Sequence, residues 1–276
     1  MEKGDHSINS SAPLPTNLRS EDTAEVAHMS GPQSRVNSDV EKRSTISVVL
    51  PVYNEAETVS DLLKTYHNEI CRKVSAPLIV AEDGSTDGTK EILFSLQKEL
   101  PIVLHSDPKR KGYGKAASDA LKNCSSDWVF FSDSDGQYSP ADFWKLWKRR
   151  DGFDMVIGRK VHRTEGEYRI ILSNGFHKML NGIFGLRLHD ADCGFRLIRK
   201  EVVRVVVDKV RFLDYSFWAE FTVRACLAGF KIAEVPINHS SRTHGETHIY
   251  KPSKIATIVL KQLEGLTRLY ADVRSH

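Results

Sequence analysis

The first half of the chain alternates short apolar runs with stretches whose apolar residues recur at helical spacing. Runs rich in β-branched and aromatic residues predict strands at residues 46–52, 78–81, 102–104, 128–131 and 155–158. Between the first two runs, Val59, Leu62, Leu63 and Tyr66 mark one face of a helix. Strands that alternate with helices form right-handed βαβ units. We therefore expect an α/β fold, with a mainly parallel sheet flanked by helices in a single catalytic domain.

The second half of the chain is less regular. Its pattern predicts helices over residues 168–186, 217–227 and 254–270 and a strand over residues 231–237. An acidic turn at residues 189–196 runs into the apolar pair Leu197 and Ile198. The helix at 168–186 and the last helix carry apolar faces that fit either packing on the core or lying on a bilayer.

The N-terminal 44 residues differ in composition from the rest of the chain. They contain no Phe, Trp or Tyr, eight serines and three prolines, and their apolar residues follow no period. Such a segment cannot bury enough apolar surface to offset its ordering entropy. We expect a disordered tail over residues 1–44, a catalytic domain over 45–250 and an amphipathic C-terminal helix within 251–276.

Composition narrows the class of protein. The 39 basic and 36 acidic residues leave a formal charge of +3 with no basic tail, so we expect no nucleic-acid partner. Four cysteines lie far apart without a CxxC pair, which is typical of reduced thiols in a cytoplasmic protein. We see no apolar run long enough to span a membrane and no signal peptide. The expected location is the cytoplasm, with peripheral membrane contact left open; the sequence indicates no oligomeric state.

Acidic residues follow the ends of three predicted strands. They are Glu55, Asp83, Asp133 and Asp135. Each alone is typical of a helix cap or a turn. However, open α/β sheets bind ligands at the carboxyl ends of their strands, where these four side chains should converge. Asp133 and Asp135 are hard oxygen ligands, suited to Mg²⁺ or Mn²⁺ shared with a substrate phosphate.

A second acidic pair, Asp190 and Asp192, has two interpretations. The pair can cap or turn the chain, or it can place carboxylates near an acceptor, with one of them acting as a general base. The spacing alone does not separate these alternatives.

Two other motifs have weaker functional interpretations. The string Gly112-Tyr113-Gly114-Lys115-Ala116-Ala117 has the GxGxxA form of a dinucleotide site. It follows the third strand rather than the first, and basic residues surround it, which favours a flexible loop approaching phosphate over a dehydrogenase. His244 and His248 flank Glu246, but a loop glycine and the absence of HExxH spacing argue against zinc.

Three motifs taken in order resemble those of family 2 glycosyltransferases with a GT-A fold. They are the segments VVLPVYNE at 48–55, EDGSTDGT at 82–89 and DSDGQ at 133–137. Residues 190–196 and the Arg242-x-x-Gly245 loop continue the resemblance, which covers residues 46–250. The most similar subgroup is the polyprenyl-phosphate or dolichol-phosphate mannosyl- and glucosyltransferases.

The resemblance implies roles for individual residues. Those that would hold the base and ribose of a nucleotide sugar are Pro51, Tyr53, Glu55 and Asp83. Those that would surround a bridging Mg²⁺ or Mn²⁺ are the ligands Asp133 and Asp135, with Ser134 and Gln137 beside them. Candidates for phosphate contacts are Lys115, Arg196 and Arg242, and Arg196 is also a candidate catalytic residue. The general-base candidates are Asp190 and Asp192.

The implied function is inverting, metal-dependent transfer of a hexose from a donor such as GDP-mannose or UDP-glucose to a polyprenyl phosphate. The chain departs from this pattern at Gly245-Glu246-Thr247-His248, where lipid-phosphate enzymes usually show Gly-Ser-Lys. It also lacks the membrane helices that some members carry after the catalytic domain. A sugar or hydroxyl acceptor, and a nucleotide-sugar-binding protein without turnover, remain as alternatives.

Overall fold

The computed structural model describes residues 44–161, 167–240 and 255–275. A seven-stranded sheet forms its centre, with the strands in the order β3-β2-β1-β4-β6-β5-β7. The strands are β1 (Ile46–Val52), β2 (Leu78–Glu82), β3 (Ile102–Ser106), β4 (Trp128–Phe131), β5 (Met155–Val161), β6 (Arg196–Arg199) and β7 (Ile232–Asn238).

The sheet is mainly parallel, as the sequence predicts. Strand β1 pairs in parallel with β2 and β4, β2 pairs in parallel with β3, and β5 pairs in parallel with β7. Strand β6 is antiparallel to both of its neighbours. Because Arg196 at its start pairs with Phe131 at the end of β4, the acidic turn before β6 lies at the carboxyl edge beside Asp133.

Helices connect and flank the strands. They are α1 (Val59–Tyr66), α2 (Arg72–Val74), α3 (Thr89–Leu96), α4 (Tyr113–Lys122), α5 (Phe143–Arg149), α6 (Glu167–Phe184), α7 (Lys200–Val206), α8 (Phe217–Leu227) and α9 (Ile255–Arg274). A π-helical segment, His67–Cys71, joins α1 to α2. The predicted helix at 217–227 has the observed bounds of α8, whereas the last helix runs four residues further than expected.

The strands that carry the candidate site are buried. All residues of β1, β2 and β4 are buried, which explains why their sequences read as continuous apolar runs. Trp128, Phe130 and Phe131 of β4 are almost fully enclosed, and the Phe131 ring packs edge-on against Trp218 of α8. This packing fixes the end of β4, from which the Asp133 and Asp135 pair emerges.

Within the described ranges, no helix is long and apolar enough to cross a membrane. The predicted tail over residues 1–44 falls almost wholly outside those ranges, and the predicted boundary at residue 250 also falls outside them. The domain division therefore stays a prediction.

Candidate active site

A cavity of about 880 Å³ opens at the carboxyl edge of the sheet. Its polar side is formed by residues near the ends of strands and in the turn before β6: Pro51, Tyr53, Glu55, Asp83, Asp133, Ser134, Asp135, Gln137, Lys160, Asp190 and Asp192. Its apolar side comes from α6 and α9, through Ile171, Leu172, Phe176, Met179, Ile255, Ile258, Val259 and Leu263. The structure thus brings all four strand-end acids and the second acidic pair into one cavity.

The loops that follow β1 and β2 are hydrogen-bonded to each other. The Asn54 backbone N–H donates to the Ser85 hydroxyl (3.0 Å), and the Asn54 side-chain oxygen accepts the Thr86 N–H (2.9 Å). Asn54 adopts a positive φ of 54°, a conformation that asparagine tolerates better than most residues. Tyr53 beside it carries the Arg110 guanidinium 4.0 Å above its ring, so an aromatic and cationic surface faces the cavity here.

Asp83 fastens the basic loop after β3 to the end of β2. Its two carboxylate oxygens accept the N–H groups of Lys111 (2.7 Å) and Gly112 (2.9 Å). Gly84 has a φ of +70°, and a Cβ there would overlap the backbone of Lys109 and Arg110. The loop that the sequence analysis predicted to be flexible is therefore anchored, and Asp83 keeps lone pairs for a further contact.

Lys115 points away from this site. Its ammonium pairs with Asp119 one turn along α4 (2.7 Å), and it does not line the cavity. Its predicted phosphate contact has no support in this geometry.

Asp133 is held by a hydrogen-bond chain that links two helices. The Trp218 indole N–H donates to the Tyr113 hydroxyl, which donates to Asp133 Oδ1, each at 2.6 Å. On the other side, a Cβ on Gly194 would overlap the Asp133 carboxylate, so only glycine leaves room for it. The chain and the glycine together fix the carboxylate at the cavity wall.

The acidic pair fits a divalent cation. Burial, followed by the charge of Asp135, raises the pKa of Asp133 to about 7. A cation placed between two neighbouring carboxylates offsets the repulsion between their charges. The described ranges contain no group of three His, Cys, Asp or Glu side chains that could enclose a metal ion. The pair therefore suits a hard ion that also takes oxygen ligands from a substrate.

The second acidic pair separates into two environments. Asp192 Oδ1 accepts the Ala219 N–H in the first turn of α8 (3.0 Å), so Asp192 satisfies one of the N–H groups that have no partner within that helix. Burial raises the pKa of Asp192, although His177 and Lys160 oppose that shift. Asp190 is buried and faces Lys160 Nζ at 3.4 Å and His177 Nε2 at 3.6 Å.

Glu234 of β7 positions the Asp190 backbone. Its carboxylate accepts the N–H groups of His189 and Asp190, the latter at 2.7 Å. The turn is thereby tied to β7, and both the Asp190 and Asp192 carboxylates line the cavity.

Arg196 does not reach the cavity. It is fully buried beneath the acidic turn, where it donates to the carbonyls of Ala191 and Cys193 and stacks 4.1 Å from the Trp218 ring. Burial lowers the pKa of this guanidinium. The expected catalytic or phosphate contact is replaced by a structural role, in which Arg196 shapes the turn that carries the two acids.

Several cavity residues were not predicted from the sequence. Lys160 lies at the carboxyl end of β5, so the strand-end rule that found the acids could have found it. His177, Tyr113 and Trp218 sit within helices, where periodicity gives no signal of function. Arg242 of the predicted site, and His244 and His248, lie outside the described residues.

The fold and the cavity define an α/β enzyme with an acidic site at the carboxyl edge of its sheet. The glycosyl transferase family 2 model matches residues 47–207, which is more than half of the chain. The protein therefore belongs to glycosyl transferase family 2, as the motifs predict, and it is a glycosyltransferase.

Two curated relatives match this chain at moderate sequence identity. A dolichyl-phosphate beta-glucosyltransferase of Trichomonas vaginalis is 27% identical over 78% of this chain and 72% of its own. The polyprenol monophosphomannose synthase of Mycolicibacterium smegmatis is 28% identical over 72% of this chain and 78% of its own.

Solved structures show the same fold. Glucosyl-3-phosphoglycerate synthase of Mycobacterium tuberculosis, in complex with Mn²⁺, uridine diphosphate and glucosyl-3-phosphoglycerate, aligns with a TM-score of 0.59 and 21% identity. The alignment covers 83% of this chain and 80% of that one. A complex of the same enzyme with Mg²⁺ and uridine diphosphate gives a TM-score of 0.62 at 20% identity. The predicted GT-A architecture is confirmed.

Proposed function

We propose that this protein is an inverting, metal-dependent hexosyltransferase that uses a nucleotide sugar of the GDP-mannose or UDP-glucose type and a polyprenyl phosphate acceptor. The observation that carries the proposal is the composition of this cavity. The cavity combines the Asp133 and Asp135 pair, the charged cluster around Asp190 and an apolar wall from α6 and α9. The names of the two curated relatives, a dolichyl-phosphate beta-glucosyltransferase and a polyprenol monophosphomannose synthase, support the hexose and the polyprenyl phosphate acceptor.

The donor's nucleoside fits the end of the cavity formed by Pro51, Tyr53, Glu55 and Asp83. The loops here are joined by hydrogen bonds, so the pocket exists before the ligand binds. Arg110, stacked on Tyr53, presents a cation toward this end, which suits the charge of a nucleoside diphosphate.

Asp133 and Asp135 would hold the divalent cation, with Ser134 and Gln137 beside them. When bound, Mg²⁺ or Mn²⁺ supplies Lewis-acid neutralisation of the leaving diphosphate. The protein's own contribution is to hold the Asp133 carboxylate through Tyr113 and to keep space for it at Gly194.

The apolar wall formed by α6 and α9 suits the lipid part of the acceptor. Ile171 and Leu263 line the cavity and are also 69% and 42% exposed, so the wall continues to the surface of α6 and α9. An isoprenoid chain would cover this surface and gain the free energy of apolar burial. A small anionic acceptor has no apolar part that could do so.

A phosphate acceptor needs positioning more than deprotonation, because it is already anionic near neutral pH. Asp190 and Asp192 line this side of the cavity, and neither is required as the sole base. We expect Asp190→Asn to lower turnover only partly. Complete loss of turnover with intact donor binding would instead indicate a hydroxyl acceptor.

A transfer assay tests the proposal. Purified protein is incubated with GDP-mannose or UDP-glucose, Mn²⁺, and farnesyl phosphate, farnesol or 3-phosphoglycerate, and products are measured by mass spectrometry. We expect hexosyl farnesyl phosphate from one donor, and none when the metal is chelated. Transfer only to 3-phosphoglycerate or farnesol would overturn the proposed acceptor. Nucleotide-sugar binding without any transfer would favour a binding protein.

A further inference from the structure

His177 lines the cavity, and one of its ring nitrogens has no hydrogen-bond partner in the described part of the chain. It is 7% exposed, lies on α6 and lines the cavity beside Asp190. Its Nδ1 lies 2.8 Å from the Ser173 carbonyl oxygen. A carbonyl can only accept, so Nδ1 carries the hydrogen and donates it. In the neutral ring, Nε2 is then left with a lone pair.

That lone pair faces a carboxylate. Nε2 lies 3.6 Å from Asp190 Oδ1, and both atoms are buried without a hydrogen-bond partner in the described part of the chain. Two acceptors that face each other in a buried site repel unless a proton lies between them. Protonation of Nε2 would turn this repulsion into an ion pair.

Other charges face the same point. Lys160 of β5 contacts the second Asp190 oxygen at 3.4 Å, and Asp192 of the turn interacts electrostatically with both His177 and Lys160. With neutral His177 the cluster of Lys160, Asp190 and ionised Asp192 has a net negative charge, which would repel an anionic acceptor.

We propose that His177 takes up a proton when the acceptor phosphate binds and that the resulting imidazolium pairs with this phosphate. The proposal rests on the proposed function, because it assumes a phosphate monoester acceptor. The second pKa of such an ester is near 6, so the proton on Nε2 comes from the bound monoanion at pH values below about 6 and from water above that pH, and the bound ester is the dianion in both cases. A dianion oxygen then attacks the sugar's anomeric carbon, and the carbon–oxygen bond to the diphosphate breaks with its electron pair on the diphosphate. The product phosphodiester carries no such proton, and His177 releases its own to water when the product leaves.

Nuclear magnetic resonance of ¹⁵N-histidine-labelled protein tests the proton directly. His177 is assigned by comparison with His177→Asn, and farnesyl phosphate is added at pH 7.5. We expect both His177 ring nitrogens to move to imidazolium shifts. His67, which also has an unpartnered ring nitrogen but does not line the cavity, serves as the internal control and should not move. A His177 ring that stays neutral in the saturated complex would overturn the proposal.

Kinetics separate this role from a structural one. For His177→Asn we expect kcat/KM for farnesyl phosphate to fall roughly 100-fold, while the dissociation constant of the donor is unchanged. We expect the wild-type rate to decline above neutral pH, as His177 loses its proton, and this decline to be absent in the variant. The control His67→Asn should match wild type. Unchanged acceptor kcat/KM in His177→Asn, with an active wild type, would overturn the role of His177 alone. A wild type that neither binds nor uses farnesyl phosphate would overturn the proposed function and the His177 role together.

Discussion

At the level of single residues, the raised pKa of Asp133 predicts that its ionised form destabilises the metal-free protein at alkaline pH. Its pKa is raised from 3.8 to about 7, so the folded chain holds a proton that the unfolded chain has lost between these values. The free energy of unfolding should therefore fall as pH rises from about 4 to 7. We expect metal-free Asp133→Asn to be more stable than wild type at pH 8 by about 1–3 kcal/mol, measured by thermal denaturation with chelator present.

The pH itself provides the control for Asp133→Asn. At pH 4 the wild-type carboxyl is protonated in the folded state, so the two melting temperatures should converge. Added Mn²⁺ should raise the melting temperature of wild type at pH 8 and leave Asp133→Asn unchanged. A variant that is less stable than wild type at pH 8 would show that the ionised Asp133 carboxylate does not destabilise the folded protein.

Gly194→Ala tests the space around the same carboxylate. The new Cβ would overlap Asp133, so the carboxylate must move away from its position at the cavity wall. We expect Mn²⁺ binding, measured by calorimetry, to weaken at least about tenfold, the result of about 1.4 kcal/mol of displaced ligand geometry. Gly182→Ala on α6, where a Cβ meets nothing within 4 Å, is the matched control and should bind as wild type does.

The sequence identified the acids of the site better than its other residues. Glu55, Asp83, Asp133 and Asp135 were found because strand ends of a parallel sheet converge, a rule that needs no side-chain contacts. The position of Arg196 could not be predicted, since no local pattern shows that a guanidinium is buried against carbonyls. The tautomer of His177 depends on a carbonyl one helical turn away, and its Nε2 faces a carboxylate in the turn before β6, so no local pattern shows either partner.

At the scale of elements, α9 is fastened to the domain by an ion network at its C-terminal end. Asp272 of α9 accepts from Arg224 of α8 at 2.9 Å and pairs with Arg211 at 2.5 Å. Burial raises the Asp272 pKa, but these partners more than offset that and hold it below its ordinary value. The stabilisation is present at neutral pH and is lost only as pH falls into the acidic range.

Asp272→Asn should loosen this wall of the cavity. We expect it to lower the free energy of unfolding by about 1–3 kcal/mol, because Arg224 keeps Glu220 but loses its second charged partner. We also expect KM for farnesyl phosphate to rise while donor binding is unchanged. Glu264→Gln, which breaks a solvent-exposed pair with Arg268 on the same helix, should change neither quantity. Equal effects from the two variants would contradict the role assigned to the network.

Most elements followed from periodicity, and the exceptions have physical reasons. Strand β6 is only four residues long, and its antiparallel pairing depends on the turn folded over Arg196. Helix α7 has the sequence KEVVRVV, whose β-branched residues favour strands, yet Val202, Val203 and Val206 are buried on its inner face. Tertiary burial outweighs local propensity there.

At the scale of the whole molecule, α6 and α9 carry exposed apolar residues beside the cavity. Leu260 is 67% exposed, and we propose that it contacts the bilayer that holds the acceptor. Leu260→Glu should reduce sedimentation with liposomes and turnover of a long polyprenyl phosphate, while turnover of water-soluble farnesyl phosphate is retained. Phe94→Glu, at a 51% exposed position on α3, is the control. Equal losses for both variants would point to general destabilisation instead.

We propose that the acidic edge of the sheet binds a nucleotide sugar through a divalent cation. Calorimetric titration of GDP-mannose, UDP-glucose, UDP-GlcNAc and NAD, with and without Mn²⁺, tests it on wild type and Asp135→Asn. We predict that one nucleotide sugar binds to wild type in the presence of Mn²⁺, and that this binding is lost without Mn²⁺ and in Asp135→Asn. Binding of NAD alone, or nucleotide-sugar binding that is indifferent to both the metal and Asp135, would contradict the account.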